Sequence, residues 1–184
     1  MTDRRWRMLK VGGSLFELPD IPDRLRRWLA VPPPAGNVIV AGGGPLVNAL
    51  RAINRTRAIE DATCHWLAID LMDVAARVLA AWIPEFPLVY GFDFMAEKKW
   101  VCPDPWSGIQ FGKAIRGGEN SMHGVILAPA AVLREDEPEF PGTRLPANWA
   151  VTSDSIAARL AIILGIPELV LFKSMAPPAP PEDV

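Results

Sequence analysis

Apolar residues follow two rhythms along this chain, short unbroken runs and longer stretches at helical spacing, and the two alternate from one end to the other. The runs at 8–11, 37–41, 87–90, 124–128 and 168–172 are rich in Val, Ile and Leu and most are bounded by glycine or proline, which predicts strands buried on both faces. Between them, Leu25, Trp28 and Leu29 recur at helical spacing over 21–30, and Val47, Leu50 and Ile53 do so from Pro45, where proline suits the first helical position. The longest helical pattern, 60–83, holds Trp66, Ile69, Val74, Val78 and Ala81, while Asp70, Asp73 and Arg77 share one polar face at i, i+3 and i+7. Asp73 and Arg77 are spaced to form an ion pair. A last helix follows Thr152 or Ser153, either of which can cap it, with Asp154 complementing its dipole and Gly165 and Pro167 ending it. Pro129 closes the strand at 124–128, 134–148 reads as a surface loop, and 91–118 shows no clear period. The alternation of strands and helices predicts the α/β class, a three-layer α/β/α sandwich around a mainly parallel sheet. One domain is expected over 1–175, followed by a proline-rich tail at 176–184.

Composition narrows the chemistry. A chain of 184 residues, half of them hydrophobic, is long enough for one sizeable core. The net charge of -2 gives no electrostatic reason to expect nucleic acid, although Arg4, Arg5 and Arg7 make the extreme N-terminus locally basic. Asp70, Asp73 and Arg77 interrupt the most apolar run, which argues against a membrane span, and no secretory pattern is visible, so a soluble cytoplasmic protein is expected. Cys64 and Cys102 lack the spacing of a disulfide framework or a metal site and read as reduced thiols. Cys64 and His65 are helical neighbours that point in different directions, so His65, like His123, reads as structural or surface, and no metal site is expected.

Two strands run straight into glycine turns. Met8-Leu9-Lys10-Val11 leads to Gly12-Gly13-Ser14, and Asn37-Val38-Ile39-Val40-Ala41 leads to Gly42-Gly43-Gly44-Pro45. Adjacent turns of this kind at the C-terminal edge of a parallel sheet present backbone N–H groups to anions, and the ligand they suit is a phosphate chain. Neither turn matches the P-loop or the dinucleotide fingerprint. The K-x-G-G-S block at Lys10 to Ser14 and the G-G-G turn resemble the amino acid kinase family, which includes acetylglutamate, aspartate and uridylate kinases. The block Val151-Thr152-Ser153-Asp154-Ser155-Ile156-Ala157-Ala158, leading to Leu171-Phe172-Lys173-Ser174, is similar to that family's T-x-D-x-x-A helix and following strand.

The resemblance implies a kinase using ATP and Mg2+. Lys10, Asp154 and Lys173 would be catalytic, Asp154 holding the phosphate-binding lysines, and Gly12, Gly13, Ser14, Gly42, Gly43, Gly44 and Ser153 would bind the nucleotide. Lys173 also reads as an ordinary surface lysine. Asp70 and Asp73 read either as the solvent side of their helix or as a cation-binding wall of the acceptor pocket. The family pattern continues past the strand at 168–172 with residues that hold the nucleoside, so the nucleotide half reads as shortened here. A homo-oligomer, a small phosphate or carboxylate acceptor, and no nucleic acid or membrane partner are expected. At finer grain, W-x-V-T-S-D-S-I-A-A, L-x-L-F-K-S and L-R-x-x-x-P resemble the aminomethylfuran phosphate kinases of methanofuran-type cofactor synthesis, linked to one-carbon metabolism. That branch implies an amine on the acceptor, with Asp70, Asp73 or Glu60 as its partner. The rival readings are a carboxylate or nucleoside monophosphate kinase, and a non-catalytic ligand-binding or assembly member of the same superfamily.

Overall fold

The computed structural model of the chain describes residues 6–30, 36–91, 124–137, 140 and 142–174. Nearly all of the periodless stretch 91–118, the tail at 176–184, His123, Cys102, Arg4 and Arg5 lie outside them. Five strands, β1 (Trp6–Val11), β2 (Gly36–Ala41), β3 (Leu88–Tyr90), β4 (Gly124–Ala128) and β5 (Glu168–Phe172), form one sheet in the order β3-β4-β2-β1-β5. Every pairing is parallel, as the βαβ alternation requires.

Side chains alternate across this sheet and build a separate core on each face. Met8, Val38, Val40, Val125 and Leu127 pack with Ile156, Ala157, Leu160 and Ala161 of helix α5 (Ser153–Ile163) on one face. Leu9, Val11, Ile39, Ala41 and Ile126 pack on the other face with Ile21, Leu25 and Leu29 of helix α1 (Ile21–Leu29). The result is a helix–sheet–helix sandwich. Helix α3 (Asp61–Trp82) is long enough, at 22 residues or roughly 33 Å, to pass from one side to the other. Its Ile69 and Met72 belong to the first core, and its Ala75, Ala76 and Leu79 to the second. It leaves Leu67, Val74 and Val78 exposed on an outward stripe. No helix among the described residues is long and apolar enough to cross a membrane.

Three sequence expectations change. Pro129 does not simply end β4: it opens helix α4 (Pro129–Ala131), which continues as a π-helical turn (Val132–Asp136) where a loop was expected from 134. The cap comes from a distant element, since Asp73 Oδ1 accepts from the Ala130 N–H at 3.0 Å. Local sequence carries no trace of such a partner. The polar stripe of α3 is the other half of this contact, facing neither open solvent alone nor a pocket. Asp70 pairs with Arg134 at 2.6 Å, and Arg77 donates to the Tyr90 hydroxyl at 2.9 Å instead of pairing with Asp73. β5 also departs from the expected double burial, because as an edge strand it leaves Leu169 and Leu171 exposed.

Candidate functional site

Three neighbouring strand ends are tied together by the glycine turns. The Gly12 N–H donates to the Phe172 carbonyl at 2.8 Å and the Gly42 N–H to the Val11 carbonyl at 2.9 Å, locking β5, β1 and β2 edge to edge. Gly12 is therefore glycine for the sheet: a Cβ there would lie 2.7 Å from the Phe172 oxygen, and its N–H is occupied. This corrects the expectation that the Gly12 N–H meets a phosphate. The next residues are free to do so. Gly13, Gly43 and Gly44 donate to no described residue, and the two turns touch so closely that a Cβ on Gly13 would sit 2.1 Å from the Gly44 nitrogen. Gly44 adopts a φ of 49°, which a side chain disfavours, and opens helix α2 (Gly44–Thr56). The N-terminal turn of that helix adds positive potential. Ser14 Oγ lies 2.9 Å from Ser174 Oγ, and Ser153 Oγ would be 3.1 Å from a Cβ on Gly42.

Under these turns lies a cluster of charges. Lys10 projects from β1 toward α5, as Met8 does, and its Nζ pairs with Asp154 Oδ1 at 2.8 Å with its side chain only 5% exposed. Lys173, at the end of β5, binds the other carboxylate oxygen. Asp154 is set in the first turn of α5, which Thr152 caps by accepting from the Ser155 N–H at 3.2 Å. Burial would push the Asp154 carboxyl up, but the hydrogen bonds and charges of the two lysines outweigh it and hold the group below its ordinary range. One carboxylate shared by two ammonium groups leaves a net positive charge beside the free N–H groups. That suits a polyanion. Lys10, Asp154 and Lys173, 163 residues apart at the extremes in sequence, are thus brought together.

A cleft of about 280 Å³ opens beside the turns, between α2, α3 and the segment 148–156. Gly13, Ser14, Gly43, Gly44 and Ser153 form its floor with Glu17 close by; Asn48 and Arg51 line it from α2; His65, Ala68, Ile69 and Met72 line it from α3. Those four positions of α3 fall at i, i+3, i+4 and i+7 and so share one face. Arg51 donates to Asn48 Oδ1 at 3.2 Å, and its guanidinium lies 5.4 Å from the centroid of the Trp149 ring. Among the described residues it has no carboxylate partner, so it is held by neutral groups and keeps its charge available. Asp70 and Asp73 turn away from the cleft to Arg134 and Ala130, and Glu60 is exposed at the start of α3, where it accepts from Thr63 at 3.3 Å. The expectation that Asp70 or Asp73 lines the acceptor pocket does not survive this placement.

His65, read from the sequence as structural or surface, lines the cleft, and so do Asn48, Arg51 and Trp149, none of which the sequence marks as a site residue. One signal was available: α2 carries Arg51 and Arg55 and no acid at all, which is unusual for a merely solvated helix face. The others needed the fold.

No family model matches the chain. Over 165 residues, 89% of its length, it is 25% identical to a [5-(aminomethyl)furan-3-yl]methyl phosphate kinase of Methanocaldococcus jannaschii. The matched part is 63% of that protein. The chain is thus a distant relative of a small-molecule kinase and spans less than two thirds of its length.

Proposed function

We propose that the chain is an ATP-dependent small-molecule kinase of the amino acid kinase type, transferring the γ-phosphoryl group to an ionised acceptor oxygen. The observation that carries this reading is the junction of two abutting glycine turns with the Lys10–Asp154–Lys173 cluster directly beneath them. The polyphosphate would lie over Gly13, Gly43 and Gly44, and the acceptor would enter the adjoining cleft. An acceptor phosphate oxygen attacks the γ-phosphorus, the bond to the ADP oxygen breaks, and a diphosphate ester and ADP result. A phosphomonoester is already ionised at neutral pH, so no general base is needed. The demand is instead for positive potential around the transferring group, which Lys10 and the turn N–H groups meet. Lys173, more exposed and at the same carboxylate, is suited to following the phosphates as they enter.

Among the described residues, no group of three His, Cys, Asp or Glu side chains could hold a metal. The Ser14 and Ser153 hydroxyls beside the turns are the protein oxygens that would face Mg2+ carried in on the nucleotide. When bound, the ion adds positive charge to the phosphate oxygens.

For the acceptor we propose a phosphomonoester with a flat ring and an amine, of the kind named for the archaeal relative. Trp149 supplies an aromatic wall and Arg51 an unneutralised cation for the ester's phosphate. An activity screen with aminomethylfuran phosphate, uridine monophosphate and acetylglutamate tests this, with phosphate transfer to the first expected. Turnover of either of the others alone would replace the acceptor assignment. Calorimetry with a non-hydrolysable ATP analogue tests the enzyme reading itself, and no binding would leave a non-catalytic ligand-binding protein.

A further inference from the structure

We propose that His65 is a specificity-determining residue that accepts a hydrogen bond from the acceptor's amine; this rests on the kinase reading above. His65 is the one polar residue on the face of α3 that lines the cleft, among Ala68, Ile69 and Met72. The residue is buried, at 7% exposure. Its Nδ1 stands 3.3 Å from the Asn148 carbonyl, and a carbonyl can only accept, so Nδ1 carries the proton. The tautomer is thereby fixed and Nε2 is left with a lone pair. No described residue meets that lone pair. The edge-on Trp66 ring, 5.2 Å away between centroids, and the Asn148 carbonyl hold the imidazole in place. Burial lowers the imidazole's pKa from its ordinary value, which keeps the lone pair unprotonated at neutral pH.

The residue lines the cleft and its Nε2 is not an enclosed atom, so the lone pair is open to water or to a donor on a ligand. The cleft's other polar groups sort a ligand's ends. Arg51 and the N-terminal turn of α2 attract an anion and repel a second cation, so an ammonium group is directed away from them. Glu17 is the competing partner for that ammonium. It is exposed, however, so water screens its attraction more strongly than it screens a contact with the largely buried His65.

The test pairs two acceptors with three variants of the full chain. Initial rates are measured with [5-(aminomethyl)furan-3-yl]methyl phosphate and with its counterpart bearing methyl in place of aminomethyl, each at saturating ATP. In the wild type the amine-bearing acceptor should be preferred in kcat/KM by about ten- to a hundredfold, the effect of one hydrogen bond to a charged group. His65→Phe should erase the preference through KM while leaving the methyl acceptor nearly unchanged. His65→Gln, whose amide reaches the Nε2 position, should restore part of it, and Glu17→Gln should leave it intact. Equal losses on both acceptors in His65→Phe would mean a structural role and overturn the inference. So would a preference that survives His65→Phe, or one that vanishes in Glu17→Gln. Calorimetric ATP-analogue binding by His65→Phe checks that the variant is folded. If the wild type uses neither acceptor, the kinase assignment to this acceptor class falls and this inference falls with it, an outcome distinct from loss of preference alone.

Discussion

The charged cluster under the glycine turns and the cleft beside them lie side by side and are built on opposite plans. In the first, Lys10, Asp154 and Lys173 neutralise and fix one another at the ends of strands and at the first turn of a capped helix. In the second, Arg51 and His65 have no ionised partner among the described residues and are steadied by neutral groups, an amide, a carbonyl and two indole rings. Paired charges hold position when the site is empty, and unpaired polar groups wait for a ligand. The first plan suits chemistry common to many acceptors; the second suits discrimination between them.

The largest expected effect breaks the first region. Lys10→Ala should lower turnover about a hundredfold to a thousandfold, the range for losing a contact made mainly in the transition state, while weakening ATP binding far less. Asp154→Asn should act in the same direction because it releases both ammonium groups. The double change should fall well short of the product of the single effects, since both residues serve one arrangement. Single-turnover kinetics with calorimetric binding of an ATP analogue separates these outcomes. Fully multiplied effects would mean that Lys10 and Asp154 act independently.

Next in size is the seam between the regions. Gly13→Ala places a methyl group 2.1 Å from the Gly44 nitrogen, so the two turns must part. The overpacking should cost about 1–3 kcal/mol of stability and also weaken nucleotide binding, because it displaces the free N–H groups. Thermal unfolding with and without ATP analogue measures both. Gly12→Ala should cost stability with little specific loss of nucleotide affinity, because its clash is with the Phe172 carbonyl and its N–H is already spent on the sheet.

The two regions also differ in how far the sequence discloses them. The strands, α1, α2, α3 and α5 are legible because apolar period and turn residues are local; the glycine turns follow from the same local pattern, whereas Lys10 and Asp154 stand out through the motifs that resemble the amino acid kinases. The Thr152 cap is legible from the local pattern as well. The cleft is not, since His65 looks like any residue of an apolar helix until Asn148, 83 positions away, is folded against it. Asp73 misleads in the opposite direction. Its place on a polar stripe suggests a pocket or solvent, but it caps α4, a partner 57 residues distant.

A smaller effect probes the cleft without touching the cluster. Arg51→Ala removes the cation stacked on Trp149 and should raise KM for a phosphomonoester acceptor about tenfold at nearly constant kcat, a charge-assisted contact being worth that much. Affinity for ATP should change little. Steady-state kinetics varying each substrate in turn checks this, and an equal loss for ATP would place Arg51 on the nucleotide instead.

The smallest expected effect is on stability against pH, and there the two regions separate by window. Both His65 and Asp154 have folded pKa values below their ordinary ones, 6.5 and 3.8, the first by burial, the second because its two lysines outweigh burial. For either group the unfolded chain takes up a proton before the folded one, so its stabilising contribution is complete above the ordinary value and is lost as pH falls toward the folded value. The cleft should therefore weaken first, as pH drops below 6.5, and the cluster only below 3.8. Unfolding temperatures followed from pH 8 to pH 3 should show His65→Phe flattening the upper part of the decline and leaving the lower part. Asp154→Asn should lower stability at neutral pH and flatten the acid end alone. If instead His65→Phe leaves the decline below pH 6.5 unchanged, the imidazole is not held neutral in the fold, and the cleft lacks the lone pair on which its contrast with the cluster depends.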